Sequence, residues 1–262
     1  MKVDRIEVFP VSVPYRNVEK NSSGVSRFGV SDVIVKVTTD DGCVGWGEST
    51  RTSSAEVIIK TLQAMVPVLL NQDPWQNQHH ERNVYHSALW NWSPNTANLA
   101  YGGIDMALWD ITGKCYGVPV YKLLGGKVQN EIKAYANGWY QTDRTPENFN
   151  KAAKRVIATG YKALKFDPFG NGDLELTRDE FDKSISLIEA VYDATKDKAE
   201  ILIEMHGRFA PHQAVEIAKE IERFRPGWIE EPCRPDDLDA IAYVRDHTSI
   251  PIATGERLYT AK

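Results

Sequence analysis

The chain has 262 residues, of which 42% are hydrophobic and 26% are charged, and its formal net charge is −5. This composition is typical of a globular protein with one large domain or two ordinary ones, and scattered Lys and Arg residues give no support to nucleic-acid binding. No apolar run approaches the roughly 18 residues of a membrane helix, and the N-terminus lacks the features of a signal peptide. Three widely separated cysteines indicate neither a disulfide framework nor a zinc cluster. We therefore expect a cytoplasmic protein that binds neither nucleic acid nor membranes.

The first part of the chain has the pattern of an antiparallel sheet followed by helices. Alternating valines indicate one strand, and Asp41-Gly42 supplies a hairpin turn before the next apolar run. Helical composition follows over residues 55–70, 75–89 and 97–116. Gly117 is typical of the residue that ends the last of these helices. Strands followed by helices predict a compact α+β domain, to which we assign residues 1–127.

From residue 131 onward the pattern changes to alternating strands and helices. The predicted strands are residues 131–138, 162–168, 199–205, 227–231 and 250–255, and the helices between them are residues 146–158, 176–194, 211–224 and 236–247. This alternation is typical of a parallel sheet built from βα units, and we assign residues 128–262 to that domain. A complete eightfold barrel takes about 250 residues, so the 135 residues after Lys127 hold five strands and not eight.

Glu204, Glu230 and Glu256 lie 26 residues apart, and each follows an apolar run that reads as a buried strand. That interval fits one strand, one helix and two loops, so three successive strand ends each present an acid where an α/β barrel has its active site. Converging carboxylates repel one another unless a cation lies between them, and oxygen ligands of this number suit Mg²⁺. The spacing predicts a magnesium site. For a single glutamate, a solvated or ion-paired residue at the rim is the simpler interpretation.

A longer motif occupies residues 97–126. It reads ANLAYGGIDMALWDITGK over 97–114 and continues to Gly125-Gly126. The motif resembles the signature helix of the mandelate racemase and muconate lactonizing branch of the enolase superfamily. Further motifs occur in the order of that family: GWGE at 45–48, Lys165, EMHGR at 204–208, IEEP at 229–232 and GER at 255–257. The chain is thus similar to this family over nearly its whole length.

The resemblance implies an α/β architecture in which an N-terminal α+β capping domain precedes a modified (β/α) TIM-type barrel. It also implies that Mg²⁺ is held by Glu204, Glu230 and Glu256. Family members bind a substrate carboxylate on the metal and remove the neighbouring α-proton, and the resulting enediolate is stabilised by metal and cationic side chains. Reprotonation then gives racemisation or epimerisation, whereas loss of a β-hydroxyl gives dehydration. Racemases of the family commonly carry a second lysine where this chain has Asp167, which argues against racemisation.

His206 lies two residues after Glu204, which predicts that both side chains point to the same side of the strand. An imidazole there can donate a proton to a leaving hydroxyl. Acid-sugar dehydratases of the galactonate type carry this ligand-x-His-Gly-Arg pattern, usually with aspartate in place of Glu204. We therefore predict His206 as general acid and Lys165 as a base or an enediolate-stabilising cation. The alternatives are a structural His206 and a Lys165 that pairs with Asp167 at the rim.

Candidate substrate-binding residues are Asp167, Arg208 and Arg257. The two arginines equally suit ion pairs with neighbouring glutamates, and Glu231 is expected to be a structural acid. Residues 17–30 and 47–54 resemble the two capping loops of the family, whose polar side chains suit a hydroxylated ligand.

These observations predict a Mg²⁺-dependent acid-sugar dehydratase, a lyase that acts on a small carboxylate substrate and forms a homo-oligomer. A racemase, epimerase or cycloisomerase would use the same enediolate chemistry. A noncatalytic metal-binding or oligomer-forming scaffold is the alternative from another class. The sixth to eighth barrel strands of the family, which carry a basic histidine in many members, have no counterpart in these residues. We accordingly interpret the barrel as truncated after its fifth strand and the chain as part of a longer protein.

Overall fold

The computed structural model of the chain describes residues 1–20, 26–49, 54–87, 94–196 and 198–258. They form two compact units, one mainly from residues 1–16 and 28–131 and the other mainly from residues 132–258. Residues 21–25 and 50–53 of the two predicted capping loops lie outside the described residues. Among the described helices, none combines the length and the apolar character that crossing a membrane requires.

Within its described ranges, the first unit contains a three-stranded sheet and four α-helices. Its strands are β1 (Val3–Lys20), β2 (Ser26–Thr39) and β3 (Val44–Ser49), and its helices are α1 (Ala55–Leu69), α2 (Asn77–Ser87), α3 (Pro94–Tyr116) and α4 (Val120–Leu123). The sheet order is β1-β2-β3, and β2 pairs antiparallel with β3. Gly42 has a φ of 86° in the turn between β2 and β3, which confirms the predicted hairpin. The expected succession of strands and helices is confirmed.

The glycines of the first unit allow α3 to lie directly against β3. A Cβ atom at Gly45 would collide with the carbonyl oxygen of Ala107, and one at Gly47 would collide with that of Gly103. The buried valines at 33, 35 and 37 of β2 and the buried residues of α3 form the core of this unit. The GWGE and YGG motifs are therefore explained locally by close backbone approach between a strand and a helix.

The second unit alternates strands and helices. Its elements are α5 (Pro146–Ala158), β4 (Ala163–Phe166), α6 (Arg178–Thr195), β5 (Glu200–Glu204), α7 (Pro211–Ile221), β6 (Ile229–Glu230), α8 (Leu238–Asp246) and β7 (Ile252–Ala253). The four strands are parallel and lie in the order β4-β5-β6-β7. The predicted parallel sheet of βα units is thus confirmed. Because each strand pairs with the next along the chain, the carboxyl ends of all four strands lie at one edge.

The predicted strand at residues 131–138 is wrong. Only Ala136 of that segment bridges to β4: its N–H donates to the carbonyl of Ala163 at 2.9 Å, and its carbonyl accepts from the N–H of Lys165 at 2.9 Å. Ile132 is 84% exposed, so its apolar side chain does not pack against the core. Gly138, with a φ of 69°, then turns the chain away. The segment touches the sheet at one residue instead of extending it.

Three helices of the second unit, α5, α6 and α8, begin where a side chain accepts a hydrogen bond from a free backbone amide, whereas α7 begins at Pro211. Thr145 accepts from the N–H of Asn148 at the start of α5, and Thr177 accepts from the N–H of Glu180 at the start of α6. Asp237 does the same at the start of α8. Such caps satisfy amides that have no partner within the helix. They fix where these three helices start.

Candidate functional site

Three charged side chains are carried by neighbouring strands near their carboxyl ends. Lys165 is the third residue of β4, and Glu204 and Glu230 are the last residues of β5 and β6. Glu204 and Glu230 are direct partners in the parallel ladder, so their side chains point to the same face of the sheet. Phe166, which follows Lys165 in β4, and Ile203, which precedes Glu204 in β5, are buried in the core. The sheet therefore brings together two of the three glutamates predicted as metal ligands.

The ammonium group of Lys165 lies between these two carboxylates. Its Nζ donates to Oε2 of Glu204 at 2.9 Å and to Oε1 of Glu230 at 2.5 Å. The side chains of Lys165, Glu204 and Glu230 are only 9%, 6% and 15% exposed. Two carboxylates share one positive charge here, so the cluster has an excess of negative charge when both are ionised. Lys165 pairs with the glutamates and not with Asp167, which was the alternative weighed above.

Burial and ion pairing act on these pKa values in opposite directions. Burial lowers the pKa of Lys165, but hydrogen bonds to Glu230 and Glu204 outweigh it and raise the pKa above its usual range. Burial raises the pKa of Glu204, and the hydrogen bond from Lys165 offsets this only in part. At Glu230 burial also raises the pKa, but the hydrogen bond from Lys165 and further contacts leave it lowered. Lys165 is therefore a cation in this arrangement, and both carboxylates bind its ammonium group.

Asp167 is the centre of a second group beside the first. Its side chain is 0% exposed. Oδ2 lies 2.6 Å from Nδ1 of His206, and Nη2 of Arg208 donates to Oδ1 at 2.9 Å and to Oδ2 at 2.7 Å. The N–H of Phe169 donates to Oδ1 at 2.9 Å. Burial raises the pKa of Asp167, but the hydrogen bond from His206 and the charge of Arg208 outweigh it and hold the pKa below its usual range.

A turn immediately after β5 sets the orientation of His206. The strand ends at Glu204, and His206 and Gly207 have left-handed φ angles of 53° and 64°. The side-chain alternation on which the prediction relied therefore does not extend to His206. Instead, the turn lets the backbone N–H of His206 donate to Oε1 of Glu204 at 2.8 Å while the ring reaches Asp167. The side chain of His206 remains 43% exposed.

Arg208, a predicted substrate ligand, is engaged with protein groups along its whole guanidinium. Nε donates to the carbonyl of Met205 at 3.2 Å, Nη1 donates to the carbonyl of Gly170 at 2.8 Å, and Nη2 binds Asp167. A direct substrate contact by either Asp167 or Arg208 would require some of these hydrogen bonds to break. The substrate-binding role of the two residues stays a prediction.

Glu256 and Arg257 lie apart from the carboxylate pair. The Glu256 side chain is 56% exposed, and its Oε1 accepts from Nε of Arg257 at 3.2 Å. Nη2 of Arg257 also lies 3.4 Å from the carbonyl of His206. Arg257 thus makes the ion pair that was weighed against substrate binding. Within the described ranges, no group of three or more His, Cys, Asp or Glu side chains is close enough together to hold a metal ion.

Glu231 is buried next to the loop that carries Glu256. Its Oε1 accepts from the hydroxyl of Thr254 at 2.8 Å and from the N–H of Gly255 at 3.1 Å. Its backbone has a left-handed φ of 45°, and its buried Oε2 has no hydrogen-bond partner among the described residues. Glu231 therefore fixes the residues directly before Glu256, a structural role of the kind expected for it.

Two aromatic residues that the sequence did not single out contact this cluster, one at Glu230 and one at Lys165. Nε1 of Trp228 donates to Oε2 of Glu230 at 3.0 Å, and the Tyr135 ring centroid lies 5.6 Å from Nζ of Lys165. The two rings contact each other edge to face, with centroids 5.7 Å apart. Trp228 precedes Glu230 by two residues, a spacing that could have placed both on one face. Nothing in the sequence around Tyr135 indicates its contact with Lys165.

The donor set fits a hard divalent cation in part. Glu204 and Glu230 offer carboxylate oxygens that already converge on one positive charge, which is the chemistry that Mg²⁺ requires. Glu256 offers the right donor type, but its carboxylate points to Arg257 in this arrangement. Two of the three predicted ligands are thus assembled, and the third lies on the neighbouring loop.

Comparisons with known proteins agree with these motifs. Residues 5–125 match the mandelate racemase / muconate lactonizing enzyme N-terminal domain, and residues 148–262 match the enolase C-terminal domain-like family. The chain is 39% identical to the D-gluconate dehydratase of Thermoproteus tenax over 237 residues, which are 90% of this chain and 48% of that protein. It is 33% identical to the D-gluconate/D-galactonate dehydratase of Picrophilus torridus, over 86% of this chain and 58% of that protein. The chain therefore spans about half the length of these curated relatives.

Solved structures share the fold. A mandelate racemase/muconate lactonizing enzyme from Jannaschia sp. CCS1 superposes with a TM-score of 0.84 and is 33% identical, covering 98% of this chain and 68% of that one. The 3,6-anhydro-D-galactonate cycloisomerase from Zobellia galactanivorans superposes with a TM-score of 0.80 at 28% identity, over 98% of this chain and 66% of that one. The N-terminal α+β unit and the βα unit described above thus occur together in known structures.

Proposed function

Because the chain belongs to the mandelate racemase/muconate lactonizing enzyme family of the enolase superfamily, we propose that the protein is a Mg²⁺-dependent acid-sugar dehydratase. The reaction removes the proton α to a substrate carboxylate and eliminates the β-hydroxyl as water. The observation that supports this best is the placement of a partly exposed imidazole, held by a buried aspartate, beside a pair of strand-end carboxylates. The names of two relatives, gluconate and galactonate dehydratase, support an acid sugar as the substrate class.

Glu204, Glu230 and Glu256 would hold the metal ion. When bound, Mg²⁺ supplies a Lewis acid that makes the α-proton of a substrate carboxylate more acidic. Glu204 and Glu230 are preassembled for this role, whereas Glu256 has to leave its ion pair with Arg257. Glu231 holds Thr254 and Gly255 in place through hydrogen bonds. The rearrangement that frees Glu256 is therefore confined to the chain from Glu256 onward.

Lys165 would stabilise the negative charge of the enediolate, and His206 would act as the general acid. The Lys165 ammonium keeps its proton because two carboxylates bind it, so we assign it to stabilising negative charge rather than to accepting the α-proton. His206 acts as a general acid in its imidazolium form: the Nε2 proton passes to the departing β-hydroxyl, and the neutral ring that remains keeps its proton on Nδ1, which faces Asp167. The C–H bond breaks and its proton passes to a base outside this set of residues, while the C–O bond breaks as the β-hydroxyl takes the Nε2 proton and leaves as water. The resulting enol tautomerises to a 2-keto-3-deoxy acid.

Racemisation or epimerisation is the second candidate. It needs a proton donor on the opposite side of the substrate α-carbon from the base. The second position of the family's lysine pair is Asp167 here, which is fully buried and bound to His206 and Arg208. Because Asp167 stands at this position in place of a second lysine, dehydration is favoured over racemisation or epimerisation.

Incubation with Mg²⁺ in D₂O separates the candidates. Gluconate, galactonate and other acid sugars are supplied, and the substrates and products are followed by NMR. Dehydration predicts a 2-keto-3-deoxy acid with deuterium at C3. Recovery of α-deuterated acid without any keto acid would establish racemisation or epimerisation instead. The scaffold alternative is tested by Glu230→Gln, because turnover that this variant abolishes would exclude it. His212→Gln, which changes an exposed histidine, is the matched control.

A further inference from the structure

We propose that Asp167 is a positioning residue for His206 and does not bind substrate itself. Its carboxylate fixes the imidazole so that Nδ1 carries a proton and faces inward while Nε2 faces outward. The kinetic part of this inference rests on the proposed dehydratase function, but the orientation of the ring does not. The role departs from the substrate-binding assignment that the sequence suggested.

Asp167 is enclosed by protein groups and is not accessible to substrate. Its side chain is 0% exposed, and both carboxylate oxygens are occupied. Oδ1 accepts from the N–H of Phe169 and from Nη2 of Arg208, and Oδ2 accepts from Nη2 of Arg208 and lies against His206. A substrate hydroxyl could reach this carboxylate only after one of these partners had been displaced.

The contact with Asp167 determines which ring nitrogen of His206 carries the proton. An ionised carboxylate can only accept hydrogen bonds, so the 2.6 Å contact between Oδ2 of Asp167 and Nδ1 of His206 requires a proton on Nδ1. In the neutral ring this leaves Nε2 as the unprotonated nitrogen. A carboxylate that orients a catalytic imidazole through Nδ1 is the arrangement of the serine-protease triad, where it fixes the tautomer without taking part in proton transfer.

Asp167 is itself held in place by Arg208. Arg208 binds it through Nη2, and the same guanidinium is anchored to the carbonyls of Met205 and Gly170. The positive charge of Arg208 balances the buried carboxylate, which would otherwise be costly in a fully enclosed position. Arg208 therefore supports Asp167, and Asp167 supports the ring of His206.

His206 lies on a strained turn that leaves its ring partly exposed. His206 has a φ of 53°, a left-handed conformation that is unfavourable for residues with a side chain. Its side chain is 43% exposed, and the ring contact with Asp167 is the polar contact that the described residues provide for it. A ring on a short turn with one polar contact depends on that contact for its orientation.

Nitrogen NMR of protein labelled with ¹⁵N-histidine tests the orientation directly. The His206 signals are assigned by their loss in His206→Gln, and the neutral ring is examined. The proposal expects Nδ1 to be protonated in the unaltered protein and expects Asp167→Ala to shift the ring toward the Nε2-protonated form. A ring protonated on Nε2 in the unaltered protein, or a tautomer unchanged in Asp167→Ala, would overturn the proposal. Asp167→Asn provides a second variant of nearly the same volume should Asp167→Ala fail to fold, and the same shift is expected of it.

Kinetics then separate positioning from substrate binding. A positioning role predicts that Asp167→Asn lowers kcat by about 100-fold or more with KM nearly unchanged, by analogy with the loss of an orienting aspartate. It also predicts that Asp167→Asn adds little to the loss caused by His206→Gln. A large rise in KM with kcat retained, or full additivity of the two changes, would contradict positioning. Asp182→Asn, at an exposed site on α6, is the matched control.

If the unaltered protein turns over no acid sugar, the proposed function fails while the NMR result still decides the role of Asp167. If turnover occurs but the tautomer is the opposite one, the function stands and this inference fails.

Discussion

Glu204 and Glu230 lie opposite each other at the carboxyl ends of two adjacent parallel strands, and both carboxylates accept hydrogen bonds from the same ammonium group. The pairing register of β5 and β6 places both acids on one face at one level. Lys165 reaches them from the next strand and supplies the only full positive charge that either acid contacts among the described side chains. The cluster is thus arranged to attract a further cation.

Removing the ammonium group should destabilise the protein in the absence of metal. Lys165→Met leaves two buried carboxylates without a counter-charge, and breaking a buried ion pair from one side typically costs about 3–5 kcal/mol. Urea unfolding in EDTA measures the effect, with Lys162→Met at an exposed position as control. A loss below about 1 kcal/mol would show that these carboxylates do not need the lysine as counter-charge.

Stability in acid should depend on Asp167. The folded-state pKa of this carboxyl lies below its unfolded value of about 3.9. The ionised group therefore contributes stability that is present above about pH 4 and is lost as the pH falls through the folded-state pKa. Asp167→Asn should be less stable than the unaltered protein at pH 7 and should lose less stability between pH 5 and pH 2. Equal losses in the two proteins over that range would be inconsistent with the lowered pKa.

Glu231 should stabilise the loop before Glu256. Glu231→Ala leaves the hydroxyl of Thr254 and the N–H of Gly255 without their acceptor, which we expect to cost about 1–3 kcal/mol. Thr254→Val removes only one of the two hydrogen bonds and should cost less. Denaturant unfolding of both variants checks this order, and a Thr254→Val variant less stable than Glu231→Ala would refute it.

Two adjacent glycines of α3 should respond in opposite ways to the same substitution. A Cβ atom at Gly103 would collide with the side chain of Ser49, so Gly103→Ala should destabilise the protein by about 1–3 kcal/mol. A Cβ atom at Gly102 would meet no tertiary neighbour within 4 Å among the described residues, so Gly102→Ala should be neutral or stabilise the helix by up to about 1 kcal/mol. Thermal unfolding distinguishes the two, and equal effects would show that close packing does not explain the second glycine.

Local pattern was enough to predict the order of strands and helices and the two strand-end acids. Glu204 and Glu230 follow apolar runs of strand length, and a parallel sheet with short connections leaves little freedom in where they end. The strand predicted at residues 131–138 shows the limit, because the sequence does not reveal that Ile132 stays exposed and that only Ala136 of the segment bridges to β4. Whether such a segment pairs with the sheet as a strand is decided by the surrounding fold.

Contacts at the site depended on features that the sequence does not display. Lys165 binds two glutamates on neighbouring strands rather than Asp167 two residues away, because the register of β4, β5 and β6 places them within reach. His206 turns toward Asp167 because its backbone is left-handed, which no alternation rule predicts. The isolated position of Glu256 likewise follows from the loop conformation and its neighbour Arg257.

The most direct test of the proposed function is the formation of a 2-keto-3-deoxy acid from gluconate or galactonate as Mg²⁺ is titrated into metal-free protein. The account predicts no product without metal, saturable product formation with Mg²⁺, and loss of product in Glu230→Gln while Glu147→Gln, at an exposed position on α5, retains it. Product formation that is independent of Mg²⁺, or unchanged in Glu230→Gln, would contradict it.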